Sequence, residues 1–458
     1  MNPNDRPQRR CLAIVLAAGE GKRMRSNRPK VLHEIAGRSL LAHVLAAVGA
    51  AGAAKIAVVV APGQDRVAAE ARRSFPEVEI FIQAEQRGTA HAVLAARDAI
   101  SAGYDDILVA FADTPLVRPE TFAAMRSTLA ASAGGQTPPA LVALGFEASD
   151  PTGYGRLIVE ANELVAIREH KDLPPGDHGL SLCNAGLMAF AGEHCLRLLE
   201  TIGNANAQNE YYLTDAIAAA RARGLKVAAL RAPEREVLGV NDRLQLAAAE
   251  AILQERLREA AMRAGASLVD PHSVHLSYDT ELGNDVSVEP HVFFGPGVRV
   301  AEGALIRAFS HLEGAVVGPR AIIGPFARLR PGALLAEDVH VGNFVEVKAS
   351  TLGAGVKANH LAYLGDAKIG PRTNIGAGVI TCNYNGFMKF PTEIGEGCFI
   401  GVNAALVAPV TIGAGAYVGT GSVITQDVAA QSLALARARQ IEKPGWAMRF
   451  RDAHKDKK

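Results

Sequence analysis

Three stretches of this sequence carry residue types that can do chemistry. The first is Leu16-Ala17-Ala18-Gly19-Glu20-Gly21-Lys22-Arg23-Met24, continuing to Pro29-Lys30. Glycines at 19 and 21 let backbone N–H groups approach phosphate, and Lys22, Arg23, Arg25, Arg28 and Lys30 supply positive charge. No GK[ST] follows and a third glycine is missing, so this is neither a P-loop nor a dinucleotide fingerprint. The glycine pair alone fits an ordinary turn equally well; the basic cluster favours phosphate. The second stretch is Phe111-Ala112-Asp113-Thr114-Pro115, a carboxylate ending an apolar run. Such an Asp suits Mg²⁺ beside phosphates, and it suits capping of the next turn as well. Between these two lies Gln83 to Ala92, whose amides precede Gly88-Thr89. They can read a base edge, or Thr89 can simply be the N-cap of a helix. The third stretch is 352–369, which holds Lys357, Asn359, His360, Tyr363 and Asp366. His360 is the histidine of this stretch, and a lone loop histidine is more often inert than functional.

The elements that must position these residues are of two kinds. From Leu12 to about Leu230 strand-like and helix-like runs alternate. CLAIVLA, KIAVVVA, VEIFIQ and DILVAFAD read as buried strands; 31–49, 64–74 and 88–100 read as helices. This predicts a doubly wound α/β domain with a mostly parallel sheet, whose ligands sit beyond the carboxyl ends of the strands. Asp150 to Arg156, Glu169 to Asp172, Asn184 and Asn204 to Asp215 are polar islands within it. After Asn241-Asp242 an Ala-rich helix runs to Gly265 and reads as a linker.

From Leu282 to Ile424 a large apolar residue returns every sixth position. Leu282, Val288, Phe294, Val300, Ile306 and Leu312 hold one register. Val317, Ile323, Leu329, Leu335, Val341 and Val347 hold a second, and Ile394, Ile400, Leu406, Ile412, Val418 and Ile424 a third. A period of six fits short strands stacked in a solenoid, the large residue inward and a following Gly easing the corner. The beat is expected to break at 352–369 and at an inserted loop, 381–393. The expected domains are 1–243, a linker at 244–264, and 265–458.

Composition sets bounds. The chain has 458 residues, 49% of them hydrophobic, and a net charge of +1, which gives no reason to expect a nucleic-acid partner. Five cysteines without metal-type spacing suit a reducing cytoplasm. The uncharged run 397–426 could span a bilayer by length, but its glycines and six-residue beat fit the solenoid, so no membrane segment is expected.

LAAGEGKRM, IQAEQRGTAHA, DPTGYGR, NAQNEYY, EVLGVNDRLQL, GPFARLRPG, VGNFVEVK, NHLAYLGDA, NIGAGVITCNYNG and APVTIGAGAYVGTGS occur in this order. Together they resemble the bacterial family of bifunctional N-acetylglucosamine-1-phosphate uridylyltransferase / glucosamine-1-phosphate N-acetyltransferases, over about residues 11–446. The resemblance implies a left-handed parallel β-helix, a homotrimer, Mg²⁺, and the substrates UTP, acetyl-CoA and amino-sugar 1-phosphates. It implies that Leu16, Ala17, Ala18, Gly19, Gln83, Gly88, Thr89, Phe111 and Ala112 hold the uridine nucleotide and that Lys30 meets phosphate. Asp113 and Asn241 match Mg²⁺ ligands, and Gly155, Glu169 and Asn184 match sugar contacts. In the second site His360 matches the general base, with Glu346 expected to orient it. Arg330, Lys348, Tyr363, Asn374 and Lys389 match binders of the acetyl acceptor. Arg330 and Lys348, eighteen residues apart, should stack on one face. Ala377, Asn383, Tyr384, Val402, Thr420 and Arg437 fall where acetyl-CoA binds.

The sequence departs from that family in places. Lys22 stands where Thr is usual, Phe111-Ala112 where Tyr-Gly is usual, and Val402 where Ser is common. Thr420 is Ala in some members. Two rival readings are a nucleotidyltransferase with a merely structural β-helix, and a non-catalytic scaffold. The first needs no His360, Glu346, Lys348 or Arg330, and the second predicts erosion of Lys30, Asp113 or Asn241; all seven are present.

Overall fold

The structure is a computed structural model that describes residues 9–19, 21–131, 137–160 and 163–455. Glu20 of the glycine loop lies outside the described residues. The chain divides into two compact units, Met1–Glu255 and Arg256–Lys458.

The first unit is built on a nine-stranded sheet. Its strands are β1 (Cys11–Leu16), β2 (Lys55–Val60), β3 (Glu79–Ile82), β4 (Asp106–Phe111), β5 (Leu141–Glu147), β6 (Arg156–Glu160), β7 (Glu163–Arg168), β8 (Leu182–Ala191) and β9 (Val227–Arg231). The order is β9-β5-β8-β4-β1-β2-β3, with the β6–β7 hairpin attached to β8. Strands β4, β1, β2 and β3 run parallel, whereas β8 is antiparallel to both β4 and β5. Every residue of β1 is buried, and alternate side chains feed opposite layers. Cys11, Ala13 and Val15 join one core; Leu12, Ile14 and Leu16 join the other. That two-sided burial makes β1 a continuous apolar run.

Three expectations are corrected here. VEIFIQ is an edge strand with Ile82 exposed, because β3 has a neighbour on one side only. The helix expected over 31–49 begins at Leu40. Before it, Glu34–Ile35 and Arg38–Ser39 pair as a hairpin across Ala36 and Gly37, both at positive φ, and the Ser39 hydroxyl caps Leu40–Ala50 by accepting from Ala42 N–H. The helix expected over 88–100 is two, Thr89–Leu94 and Arg97–Ser101. Thr89 does not cap it: its hydroxyl accepts from Leu213 N–H at 2.9 Å instead.

The Ala-rich helix spans Arg243–Arg263 and opens with the Asp242 carboxylate accepting from Gln245 N–H at 2.9 Å. Leu246, Ala249, Ile252 and Leu253 pack on Ile35, Leu40, Leu116 and Val240 of the first unit. Leu257 and Ala261 pack on the core of the second.

The second unit is a left-handed parallel β-helix of three sheets. Inward ladders run Val288-Ile306-Ile323-Val341-Ala358-Ile375-Ile400-Val418 in the first sheet. In the second they run Leu282-Val300-Val317-Leu335-Leu352-Ile369-Ile394-Ile412, and in the third Phe294-Leu312-Leu329-Val347-Leu364-Thr381-Leu406-Ile424. The break expected at 352–369 is absent: Leu352, Ala358, Leu364 and Ile369 stay on the ladders. The small inward Ala358 and the buried inward Thr381 masked the beat. Thr381 is tolerated because its hydroxyl takes Gly365 N–H at 2.8 Å and reaches Gly365 O at 3.0 Å. The insertion between strands Ile380–Cys382 and Thr392–Ile394 is real, and it closes on a Tyr384–Lys389 bridge.

The glycines after inward residues also work differently from expectation. A Cβ at Gly318 would lie 2.5 Å from Ala336 O, and one at Gly376 2.7 Å from Ile400 O. These glycines permit close stacking of coils. The left-handed corners instead carry Phe309, Phe326 and Phe344, whose rings stack at 5.0 and 5.4 Å.

Candidate active sites

At the carboxyl ends of β1 and β4 the chain leaves a cleft of about 310 Å³. Leu16, Ala17, Ala18, Gly19, Lys30, Gln83, Gly88, Thr89, Phe111 and Asp113 line it. A second hollow of about 280 Å³ shares Thr89, Phe111 and Asp113 and adds Gly155, Glu169, Asn184 and Asn241. Ala112 is fully buried, and its N–H donates to Leu16 O at 3.0 Å, locking the two strand ends together.

The electrostatic centre is Lys30. Its ammonium donates to Asp113 Oδ2 at 2.5 Å and to Asn241 Oδ1 at 3.0 Å. Lys30 and Asp113 side chains are only 10% and 20% exposed, so this pair is poorly screened. A Cβ on Gly21 would press on Lys30 Cβ at 2.5 Å, so the glycine loop can only sit here as glycine. Two oxygen donors already converge on one cation at this point. That donor set fits Mg²⁺, which takes one or two protein oxygens together with phosphates and water. Among the described residues no group of three or more His, Cys, Asp or Glu is arranged for a metal.

On the side of the cleft expected to face the nucleotide, Gln83 and Gly88 are tightly fixed. Gln83 is buried, and its amide donates to Gly88 O at 3.2 Å. Gly88 has φ 118°, and a Cβ there would meet Tyr211 N and O at 2.6 Å. The second hollow, beside Gly155 and Asn184, holds the buried acid Glu169. Burial pushes Glu169 up from the usual carboxylate range, and Thr214 Oγ1 donates to it at 3.1 Å. Asn184 N–H donates to Gly155 O at 2.8 Å, which ties two expected sugar contacts together. Two participants were not singled out from sequence. They are Gln86, whose amide holds Ala18 O at 2.7 Å, and Thr214. Gln86 sits inside a quoted motif, but only geometry shows which amide faces the loop.

In the second unit, Arg330, Glu346, Lys348 and Tyr363 all point outward from the third sheet, beside inward Leu329, Val347 and Leu364. Arg330 and Lys348 are stacked one coil apart, in line with their eighteen-residue spacing. Lys348 contacts Asp366 at 3.3 Å, and Asp366 also accepts from the Asn383 amide. Lys389 of the insertion approaches Lys348, and that neighbouring cation pulls the Lys389 ammonium below its usual range. Three cations meeting over one face make an anion site that a sugar phosphate would satisfy. Asp366 is the organiser here, and its place opposite Lys348 is visible only in register.

His360 ends strand Lys357–His360 of the first sheet, at the corner toward the third. Asn343 pairs with it one coil below. Ala377, Val402 and Thr420 each lie two residues beyond the paired Ile375, Ile400 and Val418, so they continue the same column above His360. Arg437 Nη1 donates to Thr420 O at 2.8 Å at its upper end. Tyr384 is exposed on the insertion. Four of the six residues expected at acetyl-CoA thus share one line leading from His360.

Two expectations fail within one chain. Glu346 does not orient His360: its carboxylate is taken by Arg330 at 2.8 Å and lies 3.6 Å from Arg328. The His360 ring Nδ1 instead meets Asn343 Oδ1 at 2.9 Å. Asn374 also stands apart, outward on the first sheet, whereas the Arg330 cluster is on the third.

Comparison with known proteins adds a lineage to this geometry. Residues 13–172 match the MobA-like NTP transferase domain, and residues 391–426 match the bacterial transferase hexapeptide (six repeats). Proteins called "Bifunctional protein GlmU" are similar over nearly the whole chain. The one from Xanthobacter autotrophicus is 60% identical over 97% of this chain and 98% of its own. Those from Azorhizobium caulinodans and a Bradyrhizobium species are 57% and 56% identical, with the same coverage.

Proposed function

The chain belongs to the bifunctional GlmU family, and from that premise we propose how its residues divide two successive transfers. The enzyme acetylates glucosamine 1-phosphate from acetyl-CoA, then transfers UMP from UTP to the N-acetylglucosamine 1-phosphate formed, releasing pyrophosphate.

In the first unit the phosphate oxygen of the sugar attacks the α-phosphorus of UTP. This step needs alignment and charge neutralisation more than a protein nucleophile. Leu16 to Gly19, Gln83, Gly88 and Thr89 hold the nucleotide, with Phe111 and Ala112 shaping the strand end. Gly155, Glu169 and Asn184 hold the sugar. Lys30 faces phosphate, and Asp113 with Asn241 would hold Mg²⁺, which neutralises phosphate charge when bound. The observation that carries this reading is the convergence of Lys30, Asp113 and Asn241 at the strand ends.

In the second unit His360 takes a proton from the acceptor amine as it attacks the thioester carbonyl; the C–S bond then breaks and the CoA sulfur leaves with that proton as the free thiol. Arg330, Lys348, Tyr363 and Lys389 hold the acceptor phosphate and sugar. The column Ala377, Val402, Thr420 and Arg437, with Asn383 and Tyr384, takes acetyl-CoA. Asn374 joins from the matching face of another copy in a homotrimer, because its own sheet is not the one that carries Arg330. The exposed Phe309, Phe326, Phe344 and Leu361 support such an interface. No helix among the described residues is long and apolar enough to cross a membrane. The five free cysteines suit work in the reducing cytoplasm.

Glucosamine 1-phosphate, acetyl-CoA, UTP and Mg²⁺ supplied together should yield UDP-N-acetylglucosamine. With EDTA in place of Mg²⁺ the reaction should stop at N-acetylglucosamine 1-phosphate. Nucleotide-sugar formed in EDTA would refute the metal assignment. Light scattering should return the mass of three chains; a monomer active in acetyl transfer would overturn the shared site.

A further inference from the structure

We infer that Asn343 is the positioning residue for His360, fixing which ring nitrogen carries the proton. This rests on the reading of His360 as the base for acetyl transfer. A neutral imidazole has one N–H and one lone pair, and the partner of the first nitrogen decides where the second faces. Here the ring Nδ1 lies 2.9 Å from Asn343 Oδ1, an oxygen that can only accept. The proton is therefore held at Nδ1, and Nε2 keeps the lone pair that a base requires.

The contact is built into the coil. Asn343 and His360 are register partners in adjacent coils, seventeen residues apart. Both flank left-handed corners, at Phe344 and Leu361, and Leu361 N–H donates to Asn343 O at 3.0 Å. A backbone bond and a side-chain bond thus join the same two corners. The carboxylate that would otherwise serve, Glu346, is committed to Arg330. Arg307 and His340 are the other charged or titratable side chains lining the hollow beside His360. A neutral amide also suits the task better than an acid. An aspartate would stabilise imidazolium after proton uptake, but it would equally favour the protonated, inactive ring beforehand.

The test compares Asn343→Ala and Asn343→Asp in acetyl transfer over a range of pH, with His360→Ala alongside. Asn343→Ala is expected to lower kcat roughly 10- to 100-fold, a part of what the base itself contributes, with KM for glucosamine 1-phosphate nearly unchanged. Asn343→Asp keeps the size and the acceptor. It should recover much of kcat, while the acid limb of the kcat/KM profile moves to higher pH. A wild-type kcat in the alanine variant would overturn the inference. So would an aspartate variant whose pH profile does not move, or a loss seen in KM alone. If His360→Ala retains acetyl transfer, the reading of the base fails; if it is inactive while Asn343→Ala is not, only the positioning role fails.

Discussion

His360→Ala should remove acetyl transfer and leave uridylyl transfer at its original rate. The ring is exposed and lines no core cluster, so its loss should cost little stability. The acceptor should still bind, since Arg330 and Lys348 stand on the third sheet and Lys389 on the insertion, none of them on the strand that carries His360. What disappears is proton removal from the attacking amine, worth roughly 10²- to 10⁴-fold in rate. The change should therefore appear in kcat, with KM for glucosamine 1-phosphate almost constant. Two separate assays decide it, acetyl transfer followed by free CoA and uridylyl transfer followed by pyrophosphate. Loss of both activities would contradict the assignment of the two reactions to separate units. Acetyl transfer within a factor of a few of wild type would remove His360 from the mechanism.

The fold is legible in the sequence where burial is periodic and hidden where polar residues interrupt it. All of Val288 to Val347 on the six-residue beat are inward, because each coil of the prism repeats one geometry. Ala358 and Thr381 broke the pattern only in side-chain size and polarity, and the backbone ladder continued beneath them. In the first unit the turn at Ala36-Gly37 was hidden inside an apolar stretch, since left-handed backbone leaves no hydrophobic signature. Site residues fared unevenly for a similar reason. Asp113 is legible because it follows the end of a buried strand, and Lys30, on the short helical turn Lys30–Leu32, lines the same cleft. The partner of His360 is not legible. Choosing between Asn343 and Glu346 depends on which stands one coil below at the same corner, and a five-residue step at Val347 to Leu352 shifts that alignment to seventeen residues.

Asp113→Ala should give the opposite pattern, with acetyl transfer intact and uridylyl transfer reduced by at least about 100-fold, the scale of losing one electrostatic contact to the transition state. The carboxylate has two duties, and they separate by measurement. It is the only charged oxygen of the pair that faces the Lys30 ammonium, Asn241 being neutral, so its loss removes the main attraction for a divalent cation. Mn²⁺ titrated into the variant in place of Mg²⁺ should therefore bind more weakly with UTP present. Its second duty is to neutralise Lys30, which is nine-tenths buried. An ammonium left there with only the Asn241 oxygen costs on the order of 1–3 kcal/mol, so the first unit should melt earlier. Removing the stranded charge as well, in the Lys30→Met, Asp113→Ala double variant, should restore most of that stability, because the cost lies in the unpaired ion. It should restore none of the uridylyl transfer, because both the phosphate-facing cation and the metal-facing carboxylate are then gone. If uridylyl transfer returned with stability, the loss in Asp113→Ala would be one of folding and the carboxylate would have no part in the reaction.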